Sequence, residues 1–224
     1  MKLAVIVPWG TDHGPRERVW NFLRPRWERT GVDLIVGGDP LFGRTDDLPW
    51  LDSDPSRGWF KHPFSVARAI NNAVRLAPPE YDAFALFGAD HLPDTAVLDH
   101  ACSMLEQHEW TPLYRRIAYA TEESTRLWLD TAGPDDDLTG TWHEEPQLCP
   151  GVLAVRRELF DRVGGMDERY EGWGYEDTAL VDKLTAAATP GQPSEAVLRE
   201  LWHPTGHRDL NGPNRALYEG TRRG

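Results

Sequence analysis

Leu3 to Val7 is an unbroken apolar run, and Pro8-Trp9-Gly10 stops it. A run that short, without alternation, suits a strand buried on both faces in the middle of a parallel sheet. It is too short for a membrane span or a signal peptide. Pro15 can open a helix, and Val19, Trp20, Leu23 and Trp27 then recur on one face to about Arg29. Pro25 is expected to kink or split that helix. Val32 to Val36 reads as a second strand, ending in Gly37-Gly38-Asp39. This is a βαβ opening. Ligands of such sheets bind outside the carboxyl ends of the strands, so Pro8 to Gly14 and Gly38-Asp39 are expected to face a site.

The rest continues the pattern. A helix is read from Pro63 to Leu76, with Phe64, Ala67, Ile70, Asn71 and Val74 on one stripe, and Pro78-Pro79 ends it. Ala83 to Phe87 is a third strand, Asp94 caps a helix from Thr95 to His108, and Ile117 to Ala120 and Gly151 to Val155 are further strands. Arg157 to Val163 and Glu176 to about Ala188 are helices, and Glu195 to Trp202 is a last edge strand. Leu41 to Gly58 reads as a loop. Glu122 to Pro146, with Pro134-Asp135-Asp136-Asp137 and Trp142-His143-Glu144-Glu145, shows little periodicity and reads as a lid or a disordered segment. The tail after Leu210 is polar and expected to be loosely held. Length and pattern together give one α/β domain.

The net charge of -12 argues against a general electrostatic grip on nucleic acid and fits a site that holds a divalent cation. Arginines cluster locally at Arg16, Arg18, Arg24, Arg26 and Arg29 and again at Arg115-Arg116. The two cysteines, Cys102 and Cys149, lack metal-type spacing and read as buried thiols in a reducing compartment. Neither G-x-G-x-x-G nor a P-loop is present, which argues against a dinucleotide or an ATP γ-phosphate. Several of the ten tryptophans (Trp9, Trp59, Trp142, Trp173) sit among Gly, Pro and polar residues, as ligand-contacting aromatics do.

Three stretches carry candidate chemistry. Tyr170 to Leu180 places Trp173 between Gly172 and Gly174, then Tyr175, then the acid pair Glu176-Asp177 at the start of a helix. An indole face beside two carboxylates suits a sugar, while a capped surface helix with a packed Trp173 explains the same residues. Asp90 follows the third strand directly, at the ligand edge, and is read as a metal ligand because Asp94 already fills the capping role. His203 and His207 flank Pro and Gly, which excludes one helical face and, without H-E-x-x-H, a zinc protease. His203 is either a further metal ligand or a solvated or capping histidine.

With those residues in view, the chain resembles glycosyltransferases of the GT-A fold, in the group joining family-2 enzymes to the beta-1,4-galactosyltransferases, over roughly Val5 to His207. Val7-Pro8-Trp9 is similar to the first-strand end that meets the nucleotide base. Phe64 to Asn71 is similar to the helix pattern F-N-R-A-K-x-L-N, and Tyr81 to Pro93 to the strand carrying D-x-D. Gly151 to Val155, Gly164-Gly165-Met166-Asp167 and Gly172 to Asp177 resemble the acceptor-side block W-G-W-G-G-E-D, and Leu201 to Pro204 the closing His segment. The chain departs from the pattern at Gly88 (first Asp of D-x-D), Val66 (the Arg of F-N-R), Glu171 and Tyr175.

The resemblance implies a GT-A, Rossmann-like single domain over 1–209 with a mixed, mostly parallel central sheet flanked by helices, and a C-terminal tail over 210–224. The nucleotide-binding half is about 1–93 and the acceptor-side half about 94–209. It implies Mn2+ or Mg2+ on Asp90 and His203, with His207 in reserve. It implies a nucleotide-sugar donor, a UDP-sugar, touched by Pro8, Trp9, Arg16, Arg18, Asp39, Arg68, Asn71, Ala89, Asp90 and Gly172. Asp177 is implied as general base, with Glu176, Trp173, Gly174 and Tyr175 holding the acceptor, and one base implies inversion at the anomeric carbon. The acceptor stays open among a glycan, a protein and a hydroxymethylated DNA base. A cytoplasmic bacterial or viral enzyme without membrane attachment is expected. A catalytically weak nucleotide-sugar or glycan binding domain, which Gly88 favours, and a nucleotidyltransferase are the other readings.

Overall fold

The computed structural model describes residues 1–10, 14–40, 63–133, 135–145, 151–204 and 211–222. The elements run β1 (Leu3–Trp9), α1 (Pro15–Arg29), β2 (Leu34–Gly38), α2 (Val66–Leu76), β3 (Ala83–Leu86), α3 (Thr95–Leu105), β4 (Trp110–Pro112), β5 (Tyr114–Ala120), α4 (Glu122–Thr131), β6 (Trp142–Glu145), β7 (Leu153–Arg156), α5 (Arg157–Arg162), α6 (Glu176–Ala187), β8 (Ser194–Glu200) and α7 (Asn211–Thr221).

The central sheet has the order β2-β1-β3-β7-β4. β1 pairs in parallel with β2 and with β3, and β7 pairs antiparallel with β3 and β4, so four of the five strands share one direction. Alternation along β1 sorts its side chains to two cores. Val5 and Val7 join Trp20, Leu23 and Trp27 of α1 and Val97 and Ala101 of α3 on one face. Ala4 and Ile6 join Ile70 and Val74 of α2, Leu159 of α5 and Leu180 and Leu184 of α6 on the other. Helices thus cover both faces, as a sheet with a buried parallel centre requires. α1 runs unbroken through Pro25, against the expected kink, and the Arg26 guanidinium lies over the Phe22 ring and donates to the Phe22 carbonyl.

A second, three-stranded sheet has the order β6-β5-β8, with β5 and β8 parallel. Their register slips once. Tyr114 faces Ser194 but Arg116 faces Val197, so two steps along β5 match three along β8, a β-bulge. β8 ends on the turn that follows β3: Leu92 N–H donates to Arg199 O, Leu201 N–H donates to Asp90 O (each 2.9 Å), and His91 bridges Glu200.

Three further expectations are corrected. The Glu122 to Pro146 stretch contains α4, capped by Thr121 and burying Trp128, and β6, which pairs with β5. The tail holds α7, a helix anchored by buried Asn214. Cys102 is a half-buried free thiol rather than a buried one. Leu41 to Gly58, Thr11 to His13, Cys149 and His207 lie outside the described residues. No described helix is long and apolar enough to cross a membrane.

Candidate active site

A cleft opens at the carboxyl ends of β1 and β3, where the sheet topology predicts it. Pro8, Trp9, Gly10 and Arg16 line one side, Gly88 to His91 the floor, and Glu176, Asp177 and Leu180 the opposite wall. Asp90 and Asp177, some ninety residues apart in sequence, therefore face a common space. Trp9 is propped by stacking on Trp20, with centroids 5.7 Å apart.

At the floor, Asp90 and His203 meet. His203 Nε2 lies 2.7 Å from Asp90 Oδ2, and His203 Nδ1–H donates to Pro204 O at 2.9 Å. In the neutral ring that bond leaves Nε2 bare and aimed at a carboxylate oxygen, a pairing that needs a cation between the two atoms, whether a proton or a metal. A backbone carbonyl fixing the far nitrogen is the usual support of a metal-bound imidazole. Glu200, at the end of β8, completes a group in which one atom each of Asp90, Glu200 and His203 lie within 4.8 Å of one another. Two carboxylates and an imidazole suit a cation between magnesium and manganese in preference. Arg16 Nη2 stands 3.4 Å from His203 Nε2, beside this group. Burial opposes the charge on Asp90, but the hydrogen bond to His203 and the nearby His91 and Arg16 outweigh it and hold its carboxyl well below the usual range. Glu200 and His91 were not identified from the sequence. The signals present were Glu200 three residues before His203 and a histidine next to Asp90.

At the wall, Gly172 (φ 67), Gly174 (φ 108) and Tyr175 (φ 71) turn the chain sharply into α6. Tyr175 is the only non-glycine in the left-handed region among the described residues, and glycine flanks it where any side chain would be strained. The turn puts Glu176 and Asp177 in the first helical turn. Asp177 Oδ1 accepts from Thr178 N–H (2.6 Å) and Thr178 Oγ1 (3.2 Å), leaving Oδ2 toward Gly151 and the cleft. Glu176 Oε2 is shielded from solvent with no hydrogen-bond partner in the structure. Burial, then the Asp177 charge, pushes the Glu176 carboxyl up to about 7, and burial also raises Asp177. Trp173 is 48% exposed beside the wall.

α7 braces this loop. Asn214 Nδ2 donates to Glu171 O (2.9 Å) and Trp173 O (3.3 Å), the Tyr175 ring lies against Tyr218 at 5.3 Å, and Tyr218 donates to Asp182.

The remaining residues named from sequence stand elsewhere. Arg68 and Asp39 form a bidentate buried ion pair, with 7% and 0% side-chain exposure, and Arg68 also pairs with Glu171. Asp39 further accepts Ser65 N–H, so this pair ties the end of β2, the α2 N-terminus and the segment before Gly172 together. Asn71 holds the Gly165-Met166 turn by bonds to and from Met166. Arg18 is at the surface, paired with Asp130. Ala89 lines the cleft floor, and Gly172 N–H donates to Phe64 O at the cleft's edge.

A family model described as the N-terminal domain of galactosyltransferase matches residues 139–193, which include the Gly172 to Asp177 block. Beta-1,4-galactosyltransferase 7 of Drosophila melanogaster is 28% identical over 126 residues, 55% of this chain and 31% of that protein, so the match spans about a third of the relative's length. Among solved structures, glucosyl-3-phosphoglycerate synthase from Mycobacterium tuberculosis, in complex with Mn2+, UDP-glucose and phosphoglyceric acid, aligns at TM-score 0.50 and 16% identity, covering 99% of this chain and 78% of that one. The catalytic domain of Drosophila beta-1,4-galactosyltransferase 7 in complex with xylobiose aligns at TM-score 0.47 and 22% identity, covering 93% and 68%. The chain has the GT-A fold.

Proposed function

We propose that this chain is a metal-dependent, inverting glycosyltransferase that moves a hexose from a nucleotide sugar, a UDP-sugar, to an acceptor hydroxyl. The observation that carries this reading is the single cleft lined by both Asp90 and Asp177. Sugar transfer from a nucleoside diphosphate has two electrostatic demands, one at each end of the breaking bond. The leaving diphosphate gains negative charge, and the attacking hydroxyl loses a proton. Asp90, Glu200 and His203 would hold a divalent cation, and the chemistry it would supply there is neutralisation of the leaving diphosphate's charge. Arg16, beside that group, adds a fixed positive charge for the same oxygens. At the other end Asp177 accepts the acceptor's proton through Oδ2. Glu176, protonated up to about pH 7, donates a hydrogen bond to an acceptor oxygen and finds there the partner its buried atom lacks. Trp173 offers an exposed ring face to the sugar. One base and no carboxylate nucleophile give a single displacement with inversion.

The galactosyltransferase match over the acceptor block supports the reaction class, and the Mn2+ and UDP-glucose bound to the fold neighbour support the donor and cofactor. The charge of -12 favours a glycan or protein acceptor over duplex DNA.

The test is donor turnover with Mn2+ across a panel of nucleotide sugars. Asp177→Asn is expected to lose roughly 10²- to 10⁴-fold in transfer while keeping Mn2+ affinity, and Asp90→Asn to lose both. Full transfer by Asp177→Asn refutes the mechanism. Donor binding without any transfer or hydrolysis points instead to a nucleotide-sugar binding domain.

A further inference from the structure

We propose that His91 is a positioning residue for the cation site: its Nε2–H holds Asp90 and Glu200 together, in space that an acidic side chain at position 88 would otherwise occupy. The premise is the metal-dependent reading above.

The argument begins with the tautomer. Gly88 N–H donates to His91 Nδ1 at 2.8 Å, so in the neutral ring the proton sits on Nε2. Nε2 stands 3.5 Å from Asp90 Oδ1 and 3.5 Å from Glu200 Oε2. The ring cannot easily turn away. His91 is 8% exposed, the Phe87 ring stands edge-on to it at 6.3 Å, and the Trp27 indole N–H donates to its carbonyl. The backbone pairing of His91 with Glu200 keeps the two side chains in step.

Two carboxylates converging on one small volume repel each other before a cation arrives. A fixed N–H donor between them lowers that repulsion and leaves Asp90 Oδ2 free to face His203. Position 88 has no room for a second carboxylate in the same turn. A Cβ there would overlap Asp90 Oδ1 and lie 3.0 Å from His91 Cε1. Gly88 and His91 are thus one arrangement, and an acid at 88 is sterically incompatible with it. Glu200 brings the second negative charge from the other sheet instead.

The experiment is a Mn2+ titration read by electron paramagnetic resonance, with and without UDP, on the wild type, His91→Phe, His91→Gln, Glu200→Gln and the double variant His91→Phe/Glu200→Gln. His91→Phe keeps the ring volume and removes the donor; it is expected to weaken Mn2+ binding about tenfold or more. His91→Gln keeps an N–H donor and is expected to stay within about threefold of wild type. Because His91 acts partly through Glu200, the double variant is expected to bind less weakly than the two single losses multiplied together predict. Wild-type affinity in His91→Phe, equal loss in His91→Phe and His91→Gln, or strict additivity overturns the role given to His91. Should His91→Phe not fold, Gly88→Ala serves, since its methyl displaces the same two groups, and unchanged Mn2+ affinity there is equally fatal. Wild-type protein that takes up no Mn2+ under either condition refutes the cation reading itself.

Discussion

Glu176 and Asp177 are adjacent acids with different surroundings, and the difference sets a pH dependence. Asp177 is partly satisfied by Thr178, whereas Glu176 Oε2 is shielded and unpartnered. Burial first, then the Asp177 charge, raises Glu176 to about 7 from an ordinary 4.5. The folded state therefore holds this proton more tightly than the unfolded chain does. The resulting stability is complete below about pH 4.5 and is lost as pH rises through 7. Thermal melts of Glu176→Gln and wild type between pH 4 and 9 should diverge, with the variant losing less stability on the alkaline side, by up to about 3 kcal/mol. The acids of this wall were legible from their place between a glycine turn and an apolar run. Glu200 and His91 were not, because at the end of an apparent edge strand and beside a turn nothing in their neighbours marks them. Only the pairing of β8 with the Gly88 to Leu92 turn makes them face Asp90.

Among the elements, α7 has the clearest consequence. Its only buried residue is Asn214, whose amide serves the carbonyls of Glu171 and Trp173. Asn214→Ala would leave two carbonyls short of a donor, at about 1–3 kcal/mol, concentrated in the loop that carries Trp173. The expected kinetic result is a raised acceptor KM with little change in donor KM, measured by varying each substrate in turn. α7 is not legible in the sequence, because Gly212, Pro213 and Gly220 break helical patterning and its contacts are polar. α4 and β6 were missed for a related reason: α4 buries Ser124, Thr125 and Trp128, a stripe without aliphatic periodicity. α1, by contrast, was legible to its ends, with Pro15 at its start and four large apolar residues on one face.

Across the whole molecule, the Arg68–Asp39 pair links the edge strand of the central sheet to the segment entering the aromatic loop. Removing one partner leaves the other charge buried, so Asp39→Asn should cost about 3–5 kcal/mol in urea unfolding. Mn2+ affinity should change little, because neither side chain touches the Asp90 group. The central strands β1, β2, β3 and β7 with their helices, and the cleft at the carboxyl edge, were legible because those elements follow buried-strand and one-face patterning, whereas the three-residue β4 was too short to leave a pattern. In the second sheet β5 and β8 were legible as strands, but β6 and the pairing of the three were not, since they mix charged and apolar residues and meet only through long-range pairing.

The surplus residue in β8, opposite Arg115, sets the phase of every side chain downstream of it. Strand side chains alternate, so deleting Glu195 irons out the irregularity and keeps Glu200 opposite Tyr119, whereas deleting Arg199, beyond it, puts Glu200 in register with Ala118 on the reverse face and Leu201 in its former place. Loss of Arg199, which belongs to no ligand group, should thus silence the cation site as fully as mutating it, while loss of Glu195 should spare it.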